Sequence, residues 1–350
     1  MPPPSIKPLQ TLPGVRVVAN LSAAERYVRP RPTRLHVGDA SAEPFLVQFD
    51  KVQGQLPAQN LYALPGALVM DKGTMLVGGS VVKDNTEGAP MARVLAALEA
   101  NVPAPVRHID FPLLYTSRYG VKNYGHCLTD IVPRIAQSLA LEPGLKVGLH
   151  PEFVPTARDA LRDLGVDSDR IVELDEQPTL LTQARFASPC NAHPITHSPR
   201  SLALLRARLP VLCEDAPPSP PRLFVTRSDA STRHLNNHDE VAAELQRLGF
   251  TEVATGAMPH ARQAALFAQA EEIVGLAGAS MTNLIYCRPG TRVTVLSPAT
   301  MSALYFWDLA AQLGLDFRIG YFPATQTQRG IHSNFSANWA EVKALCSSVS

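Results

Sequence analysis

The segment Glu214-Asp-Ala-Pro-Pro-Ser-Pro-Pro221 puts four prolines into eight residues and separates two runs of alternating helix and strand signals. Proline fixes φ and offers no backbone donor, so neither a helix nor a sheet is expected to cross it. Before it, residues 134–141 read as a helix, 145–150 as a strand, 156–164 as a helix closed by Gly165, and 170–174 as a strand. After it, 222–226, 250–253, 272–276 and 291–296 are short apolar strands. Helix patterns lie between them: 237–248 opened by Asn237 with Glu240 as a capping box, 261–270, and 303–313 ended by Gly314. Apolar strands alternating with helices build βαβ units around parallel sheets. The expected fold class is therefore α/β, two Rossmann-like lobes facing a central cleft, with ligands at the carboxyl ends of the strands.

The domain expectation follows the same pattern. Residues 1–40 are Pro- and Arg-rich without periodicity and read as a loosely ordered tail. Residues 41–210 form the N-terminal lobe, with a β-rich subregion whose strands are 45–49, 67–70 and 75–82 and a helix at 91–98. A hinge covers 211–221, the C-terminal lobe 222–325, and a tail with one helix near 337–345 covers 326–350.

Composition removes several function classes. Lys and Arg number 32 against 31 for Asp and Glu, so no basic field is available to hold nucleic acid. The five cysteines are widely spaced with no Cys-x-x-Cys, which reads as reduced thiols in a cytosolic protein. No apolar stretch approaches the roughly 18 residues of a membrane span, and no signal-peptide pattern opens the chain. His193 and His197 flank Pro194 and lack a third ligand, and the chain offers no convincing Asp-x-Asp or His-rich ligand set, so neither metal nor cofactor is expected.

Three clusters carry chemistry. Asn123-Tyr-Gly-His126-Cys-Leu-Thr-Asp130-Ile-Val-Pro133-Arg134 sets His126, Asp130 and Arg134 four residues apart, on one face of a helix that must kink or restart at Pro133. An imidazole beside a carboxylate moves protons near neutral pH; a helix N-terminus with a locally satisfied His fits the same spacing. Gly275-Leu-Ala-Gly278-Ala279-Ser280-Met-Thr282-Asn283 follows a strand, and a helix opening near Ala279 aims free N–H groups at an anion; a turn that needs glycine only for packing fits as well. Arg227, with Arg233 beyond it, stands at a strand's carboxyl end, where it either forks onto a diphosphate or is a solvated surface residue.

These pieces occur in a recognisable order: Asn123 to His126 with Asp130 and Pro133-Arg134, Thr226-Arg227 with Arg233 and Asn237, Gln263, Gly275 through Asn283, and Tyr286-Cys-Arg-Pro289-Gly290-Thr291-Arg-Val. In that order, over roughly residues 110–325, the chain resembles glycosyltransferase family 61, whose bacterial members are often labelled capsular polysaccharide biosynthesis proteins. The resemblance implies a GT-B architecture and inverting, metal-independent transfer of a sugar from a nucleotide diphosphate donor to a glycan or glycoconjugate acceptor. It places the donor on the C-terminal lobe, at Arg227, Arg233, Gln263, Gly278, Ala279, Ser280, Thr282 and Asn283. It places the acceptor and base on the N-terminal lobe, with His126 and Asp130 as a coupled pair and Asn123 and Arg134 contacting acceptor or holding structure. The last helix is expected to pack back on that lobe, and the protein to work in the cytoplasm, with peripheral association at the inner membrane face left open. Two positions depart from the family pattern: Ala277 stands where its histidine is usual, with Ser280 at its second glycine, and Val295 stands where it carries a glutamate. They motivate one rival reading, a binding subunit without catalysis. A nucleotide-sugar epimerase, which can use the same two-lobe layout, is the other.

Overall fold

The computed structural model describes residues 5–71, 73–85, 91–100, 102–192 and 196–347. The chain divides into two compact units, Met1–Glu25 with Leu56–His193, and Arg26–Gln55 with Pro194–Ser350.

The second unit is built on a six-stranded sheet in the order Thr251–Val253, Arg222–Val225, Glu272–Leu276, Arg292–Pro298, Asp316–Phe322 and Arg34–Val37. Every pair in it is parallel. The central strands are buried along nearly their whole length, as a sheet covered on both faces requires. Chain order along the sheet runs outward in one direction from Arg222–Val225 and in the other from Glu272–Leu276, so the topological switch point lies between these two strands. Helices His238–Arg247 and Trp339–Cys346 pack on the core of Phe224, Val274, Leu276, Leu296 and Phe322.

The first unit holds two sheets. One runs Ile171–Glu173, Lys146–Leu149, Leu113–Tyr115, Ala184–Ala187, Gln59–Ala63 and Arg16–Ser22, the first four parallel and the last two added antiparallel. The other runs Ile6–Lys7, Ser80–Val82, Thr74–Val77, Ala67–Met70, Thr179–Leu181 and Arg107–Ile109. Val69, Met75, Leu113, Tyr115, Leu181 and Phe186 interlock in a shared core. The hairpin between Thr74–Val77 and Ser80–Val82 turns at Gly78 and Gly79, with φ of 56° and 78°, the pair of positive values that a two-residue turn matched to strand twist demands. The expected α/β class holds, while this unit is a mixed two-sheet body and not a plain βαβ lobe.

Several expectations change. Within the stretch 1–40 expected as a loose tail, the described residues 5–40 are ordered: Arg16–Ser22 and Arg34–Val37 are edge strands, held by backbone ladders that leave little apolar periodicity to read. Residues 45–49 are helical, in Glu43–Leu46 and Val47–Asp50, because Pro44 favours a helix start and Asp39 accepts from Ser41 N–H to turn the chain. The Pro-rich segment does not divide the units. Helices Pro199–Arg206 and Leu209–Cys213 already belong to the second unit, where Arg206 donates to the carbonyls of Ile285 and Cys287 at 2.6 and 2.7 Å. Asn237 does not cap its helix; its amide bonds Glu240 Oε2 and both backbone groups of Ala337. The last helix packs within the second unit, because buried Arg318 donates to the carbonyls of Leu345, Cys346 and Ser347 at its C-terminal end, where a cation is favourable.

Candidate functional site

In the second unit the switch point gathers positive charge. Arg227 follows the strand Arg222–Val225, and Gly278 follows the neighbouring strand Glu272–Leu276. Arg227 is only 8% exposed, which excludes a solvated surface role. Its Nε donates to Thr232 O at 3.0 Å, and its guanidinium lies against Gly278, where a built Cβ would overlap it. Arg233 takes a left-handed backbone, φ 59°, and its Nη1 contacts Met301 Sδ at 3.2 Å. A non-glycine residue held there is strained, a cost often found at ligand sites. Burial pushes the Arg227 guanidinium down to about 10; the nearby Arg233 charge adds to the shift and Asp229 opposes it. Burial also lowers Arg233. Among the described residues neither arginine has a carboxylate ion-pair partner, and Asp229 Oδ2 is bonded by the Gly256 N–H at 2.6 Å. Two half-desolvated, unneutralised guanidinia side by side destabilise one another, and an anion between them relieves that cost.

The turn itself is a 3-10 helix, Ala279–Tyr286, with Gly278 at its N-cap. Its first internal bond is Met281 N–H to Gly278 O, so the N–H groups of Ala279 and Ser280 carry no protein partner among the described residues. Both residues are partly exposed. The other expected donor residues turn inward. Asn283 Nδ2 donates to Gln263 Oε1 at 2.6 Å and Ser280 O at 3.0 Å, and Gln263 Nε2 to the carbonyls of Thr255 and Met258 at 2.9 Å each. Thr282 is fully buried, its hydroxyl 3.4 Å from Tyr305 Oη. These three shape the turn, while Arg227, Arg233 and the Gly278–Ser280 backbone present it. Ala277 and Val295, the two departures, are 1% and 0% exposed and pack in the core.

In the first unit the segment 123–134 is helical as expected. Asn123 Oδ1 caps it, accepting from the N–H groups of Gly125 and His126 at 2.9 and 3.4 Å, a structural task. Cys127–Ile131 is a π-turn, and Pro133 sits in the first turn of the helix that restarts at Val132, where its missing donor does no harm. The coupled pair does not form. Asp130 is fully buried, 2.7 Å from Arg118 Nη1, 3.6 Å from Arg134 Nη1 and 2.7 Å from the Cys190 N–H. A buried carboxylate needs full positive charges, and two guanidinia supply them better than a half-exposed imidazole. Burial alone would raise the Asp130 pKa; Arg134, Arg118 and the Cys190 N–H outweigh it and hold the carboxyl below its ordinary 3.8. Arg134 is fully buried too, donating to Ala187 O at 2.6 Å and stacking over Phe186 at 4.9 Å. Asp130 and Arg134 thus hold the unit together, and His126 lies partly exposed beside Gly120. Arg118 was missed by spacing because it lies far from Asp130 in sequence. Its place just beyond the strand Leu113–Tyr115 was the available signal.

One group of described residues has the makings of a metal set: His150, Glu152 and Glu176, with ligand atoms within 4.8 Å of one another. The glutamates are exposed or half-buried, Glu152 pairs with Lys122, and its N–H is bonded to His150 Nδ1 at 3.1 Å. His193, the other half of the pair with His197, lies outside the described residues. No helix among the described residues is long and apolar enough to cross a membrane.

Residues 124–294 match the model of the family described as Glycosyltransferase 61. The match bears out the resemblance read from the sequence and spans His126, Arg227, Arg233 and the Gly278 turn. No curated protein matches the chain.

Proposed function

We propose, on the premise of that family match, that this glycosyltransferase moves a sugar from a nucleotide diphosphate donor to a glycan or glycoconjugate acceptor, with inversion and without a metal, in surface polysaccharide assembly. The reading takes the two units as donor and acceptor lobes of a GT-B enzyme in the cytoplasm. The observation that carries it is a pair of arginines without an ion-pair partner among the described residues at the switch point of a parallel sheet, with Arg227 against Gly278 at the start of the turn whose first N–H groups, of Ala279 and Ser280, are open. In this mechanism Arg227, Arg233 and those N–H groups stabilise the departing diphosphate, and His126 takes the proton of the attacking acceptor hydroxyl. Excluding water keeps donor hydrolysis from competing.

Nucleoside diphosphates tested one by one in thermal unfolding provide the first check. A bound one at about 100 times its dissociation constant raises stability by roughly 2.7 kcal/mol. Arg227→Ala is expected to weaken binding of that nucleotide by about 1.5–3 kcal/mol, the size of a charge-assisted hydrogen bond. Its fold should survive, since among the described residues Arg227 has no ion-pair partner to strand. Unchanged affinity in the folded variant would remove Arg227 from the site.

Gly278→Ala tests the same geometry from the other side. The new methyl displaces the Arg227 guanidinium. Affinity should fall, and Gly278→Ala combined with Arg227→Ala should lose little more than Arg227→Ala alone. Additive losses would mean that the glycine acts independently of the arginine.

A second reading, nucleotide binding without catalysis, is favoured by one observation: apolar Ala277 and Val295 fill the positions where a histidine and a glutamate are usual. Turnover with any sugar nucleotide separates the two, and activity in the presence of a chelator separates metal-independent transfer from use of the His150 group.

A further inference from the structure

The chain passes between its two units three times, at residues 25–26, 55–56 and 193–194. In the second unit one carboxylate holds the first and third passages directly and the second through Arg29. Asp308 is fully buried; its Oδ1 accepts from Tyr27 Oη at 2.8 Å and Arg29 Nη1 at 3.1 Å. Its Oδ2 accepts from the His197 backbone N–H and Gln312 Nε2 at 2.9 Å each, and lies 2.7 Å from His197 Nδ1. Tyr27 and Arg29 follow the first passage. Arg29 also donates through Nη2 to the carbonyls of Lys51 and Gln53, and its N–H donates to Val52 O at 2.6 Å, just before the second passage. His197 follows the third. The valines at these passages contribute little burial: Val28 is 71% exposed and Val52 36%. Trp307, next to Asp308 on the helix Leu304–Leu313, completes the clamp, donating to Pro30 O at 2.7 Å and lying 4.8 Å under the Arg29 guanidinium.

The same cluster reaches the anion site. The His197 ring stands edge-on to Tyr305 with centroids 4.5 Å apart, and Tyr305 Oη lies 3.4 Å from Thr282 Oγ1 in the Ala279–Tyr286 turn. An anion that draws in the first N–H groups of that turn acts on a segment already in contact with the clamp.

We propose that Asp308 is the anchor of the connections between the units, and that Tyr305 couples this anchor to occupancy of the Gly278 turn. The coupling half rests on the anion-binding reading above; the anchor half does not.

Hydrogen exchange read by mass spectrometry on the full chain tests both. Without ligand, Asp308→Asn should speed exchange about tenfold or more at 26–31, 51–55 and 196–198 and leave the strand Glu272–Leu276 protected. If that variant does not fold, Tyr27→Phe combined with His197→Gln removes two ties and should show the same pattern. An even rise across the second unit, or none at the three passages, overturns the anchor. Inorganic pyrophosphate is the probe for coupling. In the wild type it should slow exchange at the turn and, by about threefold or more, at the three passages. In Tyr305→Phe the turn should still respond and the passages should not. A protected turn with unresponsive passages in the wild type overturns the coupling. An unresponsive turn overturns the anion reading and the coupling with it, and leaves the anchor to be decided by Asp308→Asn.

Discussion

Asp130→Asn is expected to unfold the first unit before it slows any chemistry. The substitution keeps the shape of the side chain and removes the charge that Arg118 and Arg134 share at 2.7 and 3.6 Å. Both guanidinia then stay buried without their carboxylate, and breaking a buried pair in this way costs about 3–5 kcal/mol. For a unit of this size that is a fall of roughly 6–20 °C in unfolding temperature. The pH dependence gives a second check. The folded pKa of Asp130 lies below its ordinary 3.8, so its stabilisation is complete above that value and is lost as pH falls through the folded pKa. The gap between wild type and variant should therefore be widest near neutral pH and shrink in strong acid. Rate per folded molecule should hold within about an order of magnitude, since a carboxylate locked between two arginines is a weak base near neutral pH. An Asn variant with unchanged melting and a turnover loss of about 100-fold would make Asp130 the base and refute this account.

His126→Ala is expected to do the reverse. His126 is partly exposed at the start of its helix, which Asn123 caps. Removing its ring should change stability by about 0.5 kcal/mol or less, as surface substitutions do. Loss of a positioned base should lower turnover by roughly 100-fold or more, with nucleoside diphosphate affinity unchanged because those contacts are proposed at Arg227 and the Gly278 turn. The Asp130→Asn and His126→Ala effects should be independent: one in melting, the other in rate. Full turnover in His126→Ala would remove His126 as the base and put the base elsewhere in the chain.

Much of the second unit was legible in its residues. Alternating apolar runs and glycine stops at Gly249 and Gly314 gave its strands and helices, because periodicity and left-handed caps are local properties. The Gly278 turn was legible for the same reason, since small residues between a strand and a helix announce a close approach whatever surrounds them. The first unit was harder to read, since its two mixed sheets pair strands whose registers are set by partners far off in the chain.

The sequence alone determined where most of the second unit's strands and helices lie, and it singled out His126, Arg227 and the Gly278 turn as candidates. Tertiary structure decided which neighbours those groups have. It turned Asp130 from His126 toward Arg118, spent Gln263 and Asn283 on each other, and set Arg34–Val37 at the edge of a sheet whose other strands come from the far half of the chain. A spacing fixes only the face of a helix on which a side chain starts. Whether that side chain ends as a base, a cap or half of an ion pair depends on the burial and charge that distant segments bring to it, and on the cost of burying a charge without a partner.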